Sequence, residues 1–306
     1  MTPPDSFRRD PTPHELAHDE AAREAPALND PALNDPPPGN ARLSEPGSAP
    51  TRSAVPPLDV VTVQTGGRYS DVYVERLRNM VARHLPIPHR FIVWCDRHPD
   101  GSTRQFSSGI HQRDLSDWGL PGTRSKLRLF DREIGGSAPF LFLDMTLVIR
   151  QSLLPLVRRG RATRASLIAV QDWNYPTLNS SVMWLNPDAN TQRVWEGWTE
   201  EGQYTWRTRG DQNYINAVFR REAPEALSFW AMGRVASYKG LRKLAASDPD
   251  LALAKLREAI ILKFHGRPKP TDVLNPWANP KSTVLRHPLQ PRLWRFLDDE
   301  IRTHWR

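Results

Sequence analysis

Asp59-Val60-Val61-Thr62-Val63 leads into Gly66-Gly67, then a stretch from Ser70 to Leu85, then Phe91-Ile92-Val93-Trp94-Cys95-Asp96. The first run is β-branched and short, and it ends in a glycine pair: a strand followed by a loop. Val72, Leu77, Met80, Val81 and Leu85 recur at helical spacing, with Ser70 or Asp71 placed to cap and Pro86 and Pro88 to stop the helix. Phe91–Cys95 is a second apolar strand. Strand, helix and strand in this order open a parallel sheet, so the expected fold class is α/β.

Working outward, the pattern continues. Ser125 to Arg132 reads as a short helix or helical turn, and Pro139–Leu143 as the most apolar strand, with Asp144 at its carboxyl end. Leu147–Ile149 continues extended. Ser166–Val170 and Ser180–Leu185 read as further strands. Thr191–Thr199 is a helix, and Asp211 is placed to cap another that runs through Phe219. Leu251–Ala259 is helical, Ile260–Phe264 is a last strand, and Leu293–Trp305 closes the chain as an amphipathic helix.

Upstream, residues 1–57 hold 13 of the 29 prolines, 5 Arg and 9 Asp and Glu. That composition buries too little apolar surface to offset chain entropy, so it reads as a disordered tail. Ala27-Leu28-Asn29-Asp30-Pro31 recurs as Ala32-Leu33-Asn34-Asp35-Pro36, too few copies for a repeat fold. The expected organisation is a tail over 1–57 and one domain over 58–306.

That domain carries 37 Lys and Arg against 25 Asp and Glu, a net of +12. Arg outnumbers Lys 35 to 7, so codon bias accounts for part of the charge. An anionic ligand accounts for it too. Nucleic acid is disfavoured, because neither clustered basic patches nor ribonucleoprotein aromatics occur. Cys95 is the sole cysteine, which excludes an intrachain disulfide and a cysteine-rich zinc site. No apolar run approaches the roughly 18 residues of a membrane span, and the first residues have no apolar core. A cytoplasmic protein is expected. Arg292, Arg295, Arg302 and Arg306 beside the apolar residues of the last helix allow a peripheral membrane contact, but packing onto the domain is the favoured reading.

Polar residues follow the strands: Thr65, Asp96, Asp144, Asp172 and His265. Open α/β sheets bind ligands beyond the carboxyl ends of their strands. Four constellations stand there. Asp144-Met145-Thr146 ends a buried strand, where a carboxylate needs a cation, a hydroxyl ligand or loop amides. Asn179-Ser180-Ser181 precedes a strand and offers hydrogen bonds to sugar hydroxyls, or simply turns the chain. Gly210-Asp211-Gln212 opens a helix. Phe264-His265-Gly266-Arg267-Pro268-Lys269-Pro270 combines a possible metal ligand, a glycine permitting close backbone approach and a cation. Among the aromatics a core role is the commoner one; Trp195 reads as core, and Trp173, just after Asp172, is either core or a wall for an acceptor.

Jointly, over roughly Leu58 to Asp272, these motifs resemble GT-A fold glycosyltransferases. They are most similar to bacterial members of the retaining family-8 group of glycogenin and galactosyltransferase-like enzymes. The resemblance implies an open, mixed, mostly parallel sheet flanked by helices. It implies a nucleotide-sugar donor, UDP in most of the family, and a glycan or lipid-linked acceptor in polysaccharide synthesis. It places Thr65, Gly66, Tyr69 and Asp96 at the nucleotide, and Lys126, Gly266 and Lys269 at the diphosphate. Asn179 and Ser180 line the sugar pocket. Asp211 and Gln212 are the catalytic pair holding the donor sugar, and Asp144 with His265 holds Mn²⁺ or Mg²⁺. Thr146 stands where the family's Asp-x-Asp motif has its second acid, and a hydroxyl is a poorer ligand for a hard cation than a carboxylate. Three outcomes are open: the metal is held by fewer ligands, Lys and Arg side chains such as Lys126, Arg267 and Lys269 replace it, or the protein binds nucleotide or glycan without turnover.

Overall fold

The computed structural model describes residues 56–115, 120, 122–200, 210–275, 277 and 295–306. The tail expected over 1–57 lies outside the described residues, apart from Pro56 and Pro57.

A seven-stranded sheet forms the centre, in the order β3-β2-β1-β4-β7-β6-β8. Its strands are β1 (Leu58–Gln64), β2 (His89–Cys95), β3 (Ile110–Asp114), β4 (Phe140–Leu143), β6 (Leu167–Gln171), β7 (Leu178–Leu185) and β8 (Leu227–Phe229). β1 pairs in parallel with β2 and β4, β2 with β3, and β6 with β8. β7 alone runs antiparallel, against β4 and β6. The expected mixed, mostly parallel sheet is what forms.

Period-two alternation sends the side chains to two faces. Val60, Phe91, Val93, Leu141, Leu143, Val182 and Trp184 join one core. That face carries α1 (Val72–His84), α3 (Leu154–Ala162), α6 (Tyr238–Ser247) and α7 (Pro249–Glu258). Val61, Ile92, Phe140, Phe142, Met183 and Leu185 join the other. It is covered by a 3₁₀ segment, Gly122–Phe130, with the four-residue α2 (Arg132–Gly135) behind it, α4 (Ala189–Glu200) and α5 (Asp211–Glu222). Strands buried on both faces explain the near-continuous apolar runs.

Several expectations shift. Ile261–Lys263 is a strand, β10, but it lies outside the main sheet. It pairs antiparallel with β5 (Leu147–Ile149) and parallel with β9 (Val235–Ser237) in a separate three-stranded sheet. Asp71 precedes α1 without capping it, because its carboxylate is committed to Gln64 and Arg104. Asn179 and Ser180 do not precede the strand; they are its second and third residues, since β7 begins at Leu178. Asp211 is the first residue of α5 and Gly210 takes the cap position.

Two short helices complete the described chain, α8 (Pro270–Leu274) and α9 (Arg295–His304). Leu297 and Ile301, four apart on one face of α9, and Trp305 just beyond it are at most 1% exposed. They pack into the same core as α1, and α9 lies against α8 and β5. Of the two readings of this helix, packing onto the domain is the one that forms; the possible membrane contact is corrected, because the apolar face is already used. Among the described residues, no helix is long and apolar enough to cross a membrane.

Candidate functional site

The carboxyl ends of β1, β2, β4 and β6 open to one edge of the sheet. Because β7 runs the other way, its beginning lies at that edge too. Antiparallel pairing thus brings Asn179 and Ser180 beside Asp144, whose backbone N–H donates to the Ser181 carbonyl at 2.8 Å. Three polar groups meet there.

The first is built on Lys126, Ser180 and Asp211. The Lys126 ammonium lies 2.6 Å from Asp211 Oδ2 and donates to Ser180 Oγ at 2.9 Å. Ser180 Oγ donates to the same Asp211 oxygen at 2.5 Å. All three residues are buried. Burial pulls the Lys126 pKa down, but the carboxylates of Asp211 and Asp144 outweigh it and hold the pKa above the usual lysine value. Asp211 gives up capping in exchange for this buried ion pair.

The second runs through Asn179. Its Nδ2 donates to Asp172 Oδ2 at 3.0 Å and to Gln212 Oε1 at 3.3 Å. With its carbonyl oxygen engaged by Asn179, the Gln212 amide has its N–H₂ as the remaining donor group.

The third is built on Asp144, Thr146 and Lys263. Asp144 Oδ1 accepts from the Thr146 backbone N–H at 2.9 Å, and lies 2.8 Å from the Thr146 hydroxyl and 3.1 Å from the Lys263 ammonium. Lys263 also donates to Thr146 Oγ1 at 2.7 Å. Burial alone raises the Asp144 pKa, yet Lys263, Lys126 and the Thr146 bonds overcome it and hold the carboxyl ionised well below its usual range. Lys263 itself is pulled below the usual lysine value, by burial first and by repulsion from Lys126, against the attraction of Asp144.

On the flank, Arg104 staples two loops together. The side chain donates to the Asp96 carbonyl (2.8 Å), Asp96 Oδ1 (3.1 Å), Asp71 Oδ1 (2.6 Å) and the Gly66 carbonyl (2.8 Å). Asp96 Oδ2 accepts from the Gly66 N–H at 2.6 Å, and Thr65 Oγ1 donates to the Gly122 carbonyl at 3.1 Å. Gly66 has φ +64°, a conformation that a side chain at this turn disfavours. The Thr65–Tyr69 loop is thereby fixed over the sheet edge. The Tyr69 phenol has its pKa pushed up to about 12, by burial first and then by the Asp144 charge, so it is a neutral donor at pH 7.

The rim is cationic. The Lys269 ammonium lies 5.1 Å from the centre of the Tyr69 ring, and the Arg68 guanidinium 5.6 Å from the same centre. Burial, and then the charge of Lys263, pull the Lys269 pKa down to about 8. Gly266 (φ +65°) runs so close to Lys239 that a Cβ there would meet its Nζ at 2.9 Å. Arg267 is paired with Asp272 at 3.1 Å.

Sequence reasoning named most of this site but missed Arg104 and Lys263. Arg104 lies in a polar loop, where nothing distinguishes it. Lys263 did carry a signal: it is the lone charge inside Ile260–Phe264, and a charge in a buried strand requires a partner.

The expected metal pair does not come together as a cation site. His265 Nε2 lies 2.6 Å from Ser237 Oγ, which also accepts the Gly240 N–H at 3.0 Å. Whichever atom carries the shared proton, Nε2 is engaged, which leaves only Nδ1 of this ring for a ligand. The ring also stacks on Trp173, centroids 5.6 Å apart and 9° from parallel. Among the described residues, no three His, Cys, Asp or Glu side chains gather as a metal-holding group. A divalent ion on the Asp144 oxygen that Lys263 uses would sit within about 5 Å of the ammonium, a repulsion of about 7 kcal/mol at an effective dielectric of about 20. The donor set does not fit a divalent metal.

Beyond Trp173 lies a cavity of about 600 Å³, lined chiefly by Trp173, Trp230, Met232, Leu241 and Leu244, with Lys255 and Glu258 among its polar lining. It touches the site through Asp172, Trp173 and Ser237.

No protein-family model matches the sequence, and neither does any curated protein. Solved structures do resemble the fold. The bifunctional glycosyltransferase WbbM aligns over 81% of this chain and 50% of its own length, with 13% identity and a TM-score of 0.52. The chain has the GT-A fold. It thus spans half the length of WbbM. The galactosyltransferase LgtC, solved with donor and acceptor sugar analogues, aligns over 78% of this chain and 99% of its own, at 18% identity and a TM-score of 0.47. The glycosyltransferase GlyE of Streptococcus pneumoniae TIGR4 aligns over 70% of this chain and 56% of its own, at 15% identity and a TM-score of 0.48.

Proposed function

We propose that this protein is a glycosyltransferase that moves a hexose from a nucleoside diphosphate sugar to a hydroxyl acceptor, with retention at the anomeric carbon. The observation that carries the reading is the buried Lys126–Ser180–Asp211 group beside the Asn179–Gln212 pair. It lies at the ligand edge of a GT-A sheet and under a rim of Lys269, Lys239 and Arg68. Hydroxyl-binding groups lie beside the rim cations Lys269, Lys239 and Arg68, an arrangement suited to a sugar diphosphate. UDP as the nucleotide, a glycan or lipid-linked acceptor and a cytoplasmic setting follow from the family-8 resemblance.

In this reading the Thr65–Tyr69 loop, clamped by Asp96 and Arg104, holds the nucleoside. Lys269, Lys239, Lys126 and Lys263 surround the diphosphate. Asp211 and Asn179 fix the sugar hydroxyls, and the Gln212 amide faces the reacting carbon. The bond between the anomeric carbon and the diphosphate oxygen breaks, and its electron pair stays on that oxygen. The acceptor oxygen bonds to the carbon, and its proton passes to the departing diphosphate. The products are a glycoside and a nucleoside diphosphate. Fixed positive charge aimed at the leaving oxygens lowers the barrier, because it needs no reorganisation as charge develops. The cavity beyond Trp173 takes the acceptor, with the indole as its wall.

Thr146 favours one rival, a relative that binds nucleotide without turnover. Incubation with UDP-, GDP- and ADP-sugars and a chromatographic assay for released nucleotide separates the two. Release by the wild type, lost in Asp211→Asn, supports transfer. Nucleotide binding without release supports the rival, and no binding of any nucleotide refutes both.

A further inference from the structure

A GT-A site ordinarily neutralises its diphosphate with a divalent cation, and this chain presents something else at that position. Thr146 lies just before β5, and Lys263 ends β10, which pairs antiparallel with it; Lys263 stands opposite Leu147, the neighbour of Thr146. The register therefore delivers the ammonium to the Asp144–Thr146 turn. Only 6% of Lys263 is exposed, so its charge is held by named partners: Asp144 Oδ1 at 3.1 Å and Thr146 Oγ1 at 2.7 Å. The Thr146 hydroxyl is also within 3.0 Å of the Phe264 carbonyl. These contacts build a seat for an ammonium group.

We propose that Lys263 is the built-in cation of this site: its ammonium, held by Asp144 and Thr146, does the electrostatic work of the divalent ion, and the diphosphate binds without metal. The proposal rests on the donor reading above and assigns a residue that the motif comparison did not. It explains two departures at once. Thr146 is short and uncharged because a second carboxylate would compete for Lys263. His265 is free to pair with Ser237 because it has no metal to hold. Lys126, ion-paired with Asp211, also acts electrostatically on Asp144, giving two lysines and the carboxylates of Asp144 and Asp211 in one charge-balanced interior. The rim cations Lys269, Lys239 and Arg68 remain to attract the anion.

Two measurements on the full chain test this. The first is titration calorimetry with UDP, GDP, CMP and ADP, in EDTA and in Mn²⁺. The expected result is one nucleotide whose Kd changes by less than about threefold between the two. A loss of about tenfold or more in EDTA overturns the proposal. Lys263→Met, shown folded by its circular dichroism, is expected to weaken binding at least about tenfold in EDTA and to regain part of it with Mn²⁺. Unchanged binding by this variant overturns the proposal. The second measurement needs no nucleotide. Electron paramagnetic resonance of free Mn²⁺ is expected to show none sequestered by the wild type and a new site in Thr146→Asp/Lys263→Met. A stoichiometric Mn²⁺ site in the wild type overturns it. If no nucleotide binds under any condition the donor reading fails, and the resonance experiment still decides the role of Lys263.

Discussion

Replacing Arg104 by Ala should both destabilise the protein and detach the Thr65–Tyr69 loop. Arg104 is 2% exposed, and its guanidinium bridges Asp71, Asp96 and the Gly66 carbonyl at 2.6 to 3.1 Å. Removing one partner of a buried charge network costs about 3–5 kcal/mol, because the other charges are left behind. Here the Asp71 and Asp96 side chains keep 22% and 31% exposure, so water reaches them and the lower figure, about 3 kcal/mol, applies. For a domain of this size each kcal/mol moves Tm by about 2–4 °C, so a fall of roughly 6–12 °C is expected. Arg104→Lys should recover less than half, since one ammonium cannot span three acceptors in different directions. Urea unfolding gives the stability, and hydrogen exchange at the Gly66 amide reports the loop. Stability within about 1 kcal/mol of wild type, with the Gly66 amide still protected, would refute the reasoning.

Asp211→Asn keeps the shape but leaves Lys126 without its nearest counter-charge; donor turnover should fall by about 10²–10³ while the fold persists, as initial rates and circular dichroism would show. Gly160→Ala places a Cβ 2.2 Å from the buried Trp184 ring, so it should cost about 1–3 kcal/mol in urea unfolding; a neutral result would show that α3 can shift. In the proposed donor site, Lys269 should make nucleotide binding pH-dependent. Its folded pKa is about 8 against an ordinary 10.5, and a bound diphosphate restores the charge. Binding at pH 8–9 should therefore take up a proton, visible as a dependence of calorimetric heat on buffer ionisation, and binding at pH 6.5 should not. The same depressed value means that between pH 8 and 10.5 the unfolded chain holds more proton than the folded one at this residue. Its contribution to stability accordingly rises with pH across that window and is unfavourable below it.

The sheet was legible because its strands are buried on both faces and read as continuous apolar runs, as in Phe140–Leu143 and Phe91–Cys95. β3 was not, since Ile110–Asp114 is an edge strand with mostly exposed side chains and carries no apolar run. β8 and β9 are three residues each, too short for periodicity to register. β10 was found as a strand, but its sheet was not, because local sequence says nothing about which edge a strand joins. At the candidate site, Asp144, Asn179, Ser180, Asp211 and Gln212 were singled out by the joint pattern and the resemblance it carries, since each position alone read equally as a turn, a cap or a loop contact. Their individual geometry was not: capping was the local reading for Asp71 and Asp211, and distant cations, Arg104 and Lys126, claimed both carboxylates. In the C-terminal helix the favoured reading, packing onto the domain, is what forms: Leu297, Ile301 and Trp305 are spent on the core, and the membrane face that its arginines allowed is not used.

The most direct test of the central claim is ³¹P nuclear magnetic resonance of a nucleoside diphosphate sugar incubated with the full chain. Two resonances of the sugar-linked diphosphate should broaden or shift on binding and be replaced by those of the free nucleoside diphosphate, with Asp211→Asn binding but not converting. Unchanged resonances for UDP-, GDP- and ADP-sugars at millimolar protein would contradict the assignment of this edge of the sheet as a donor site.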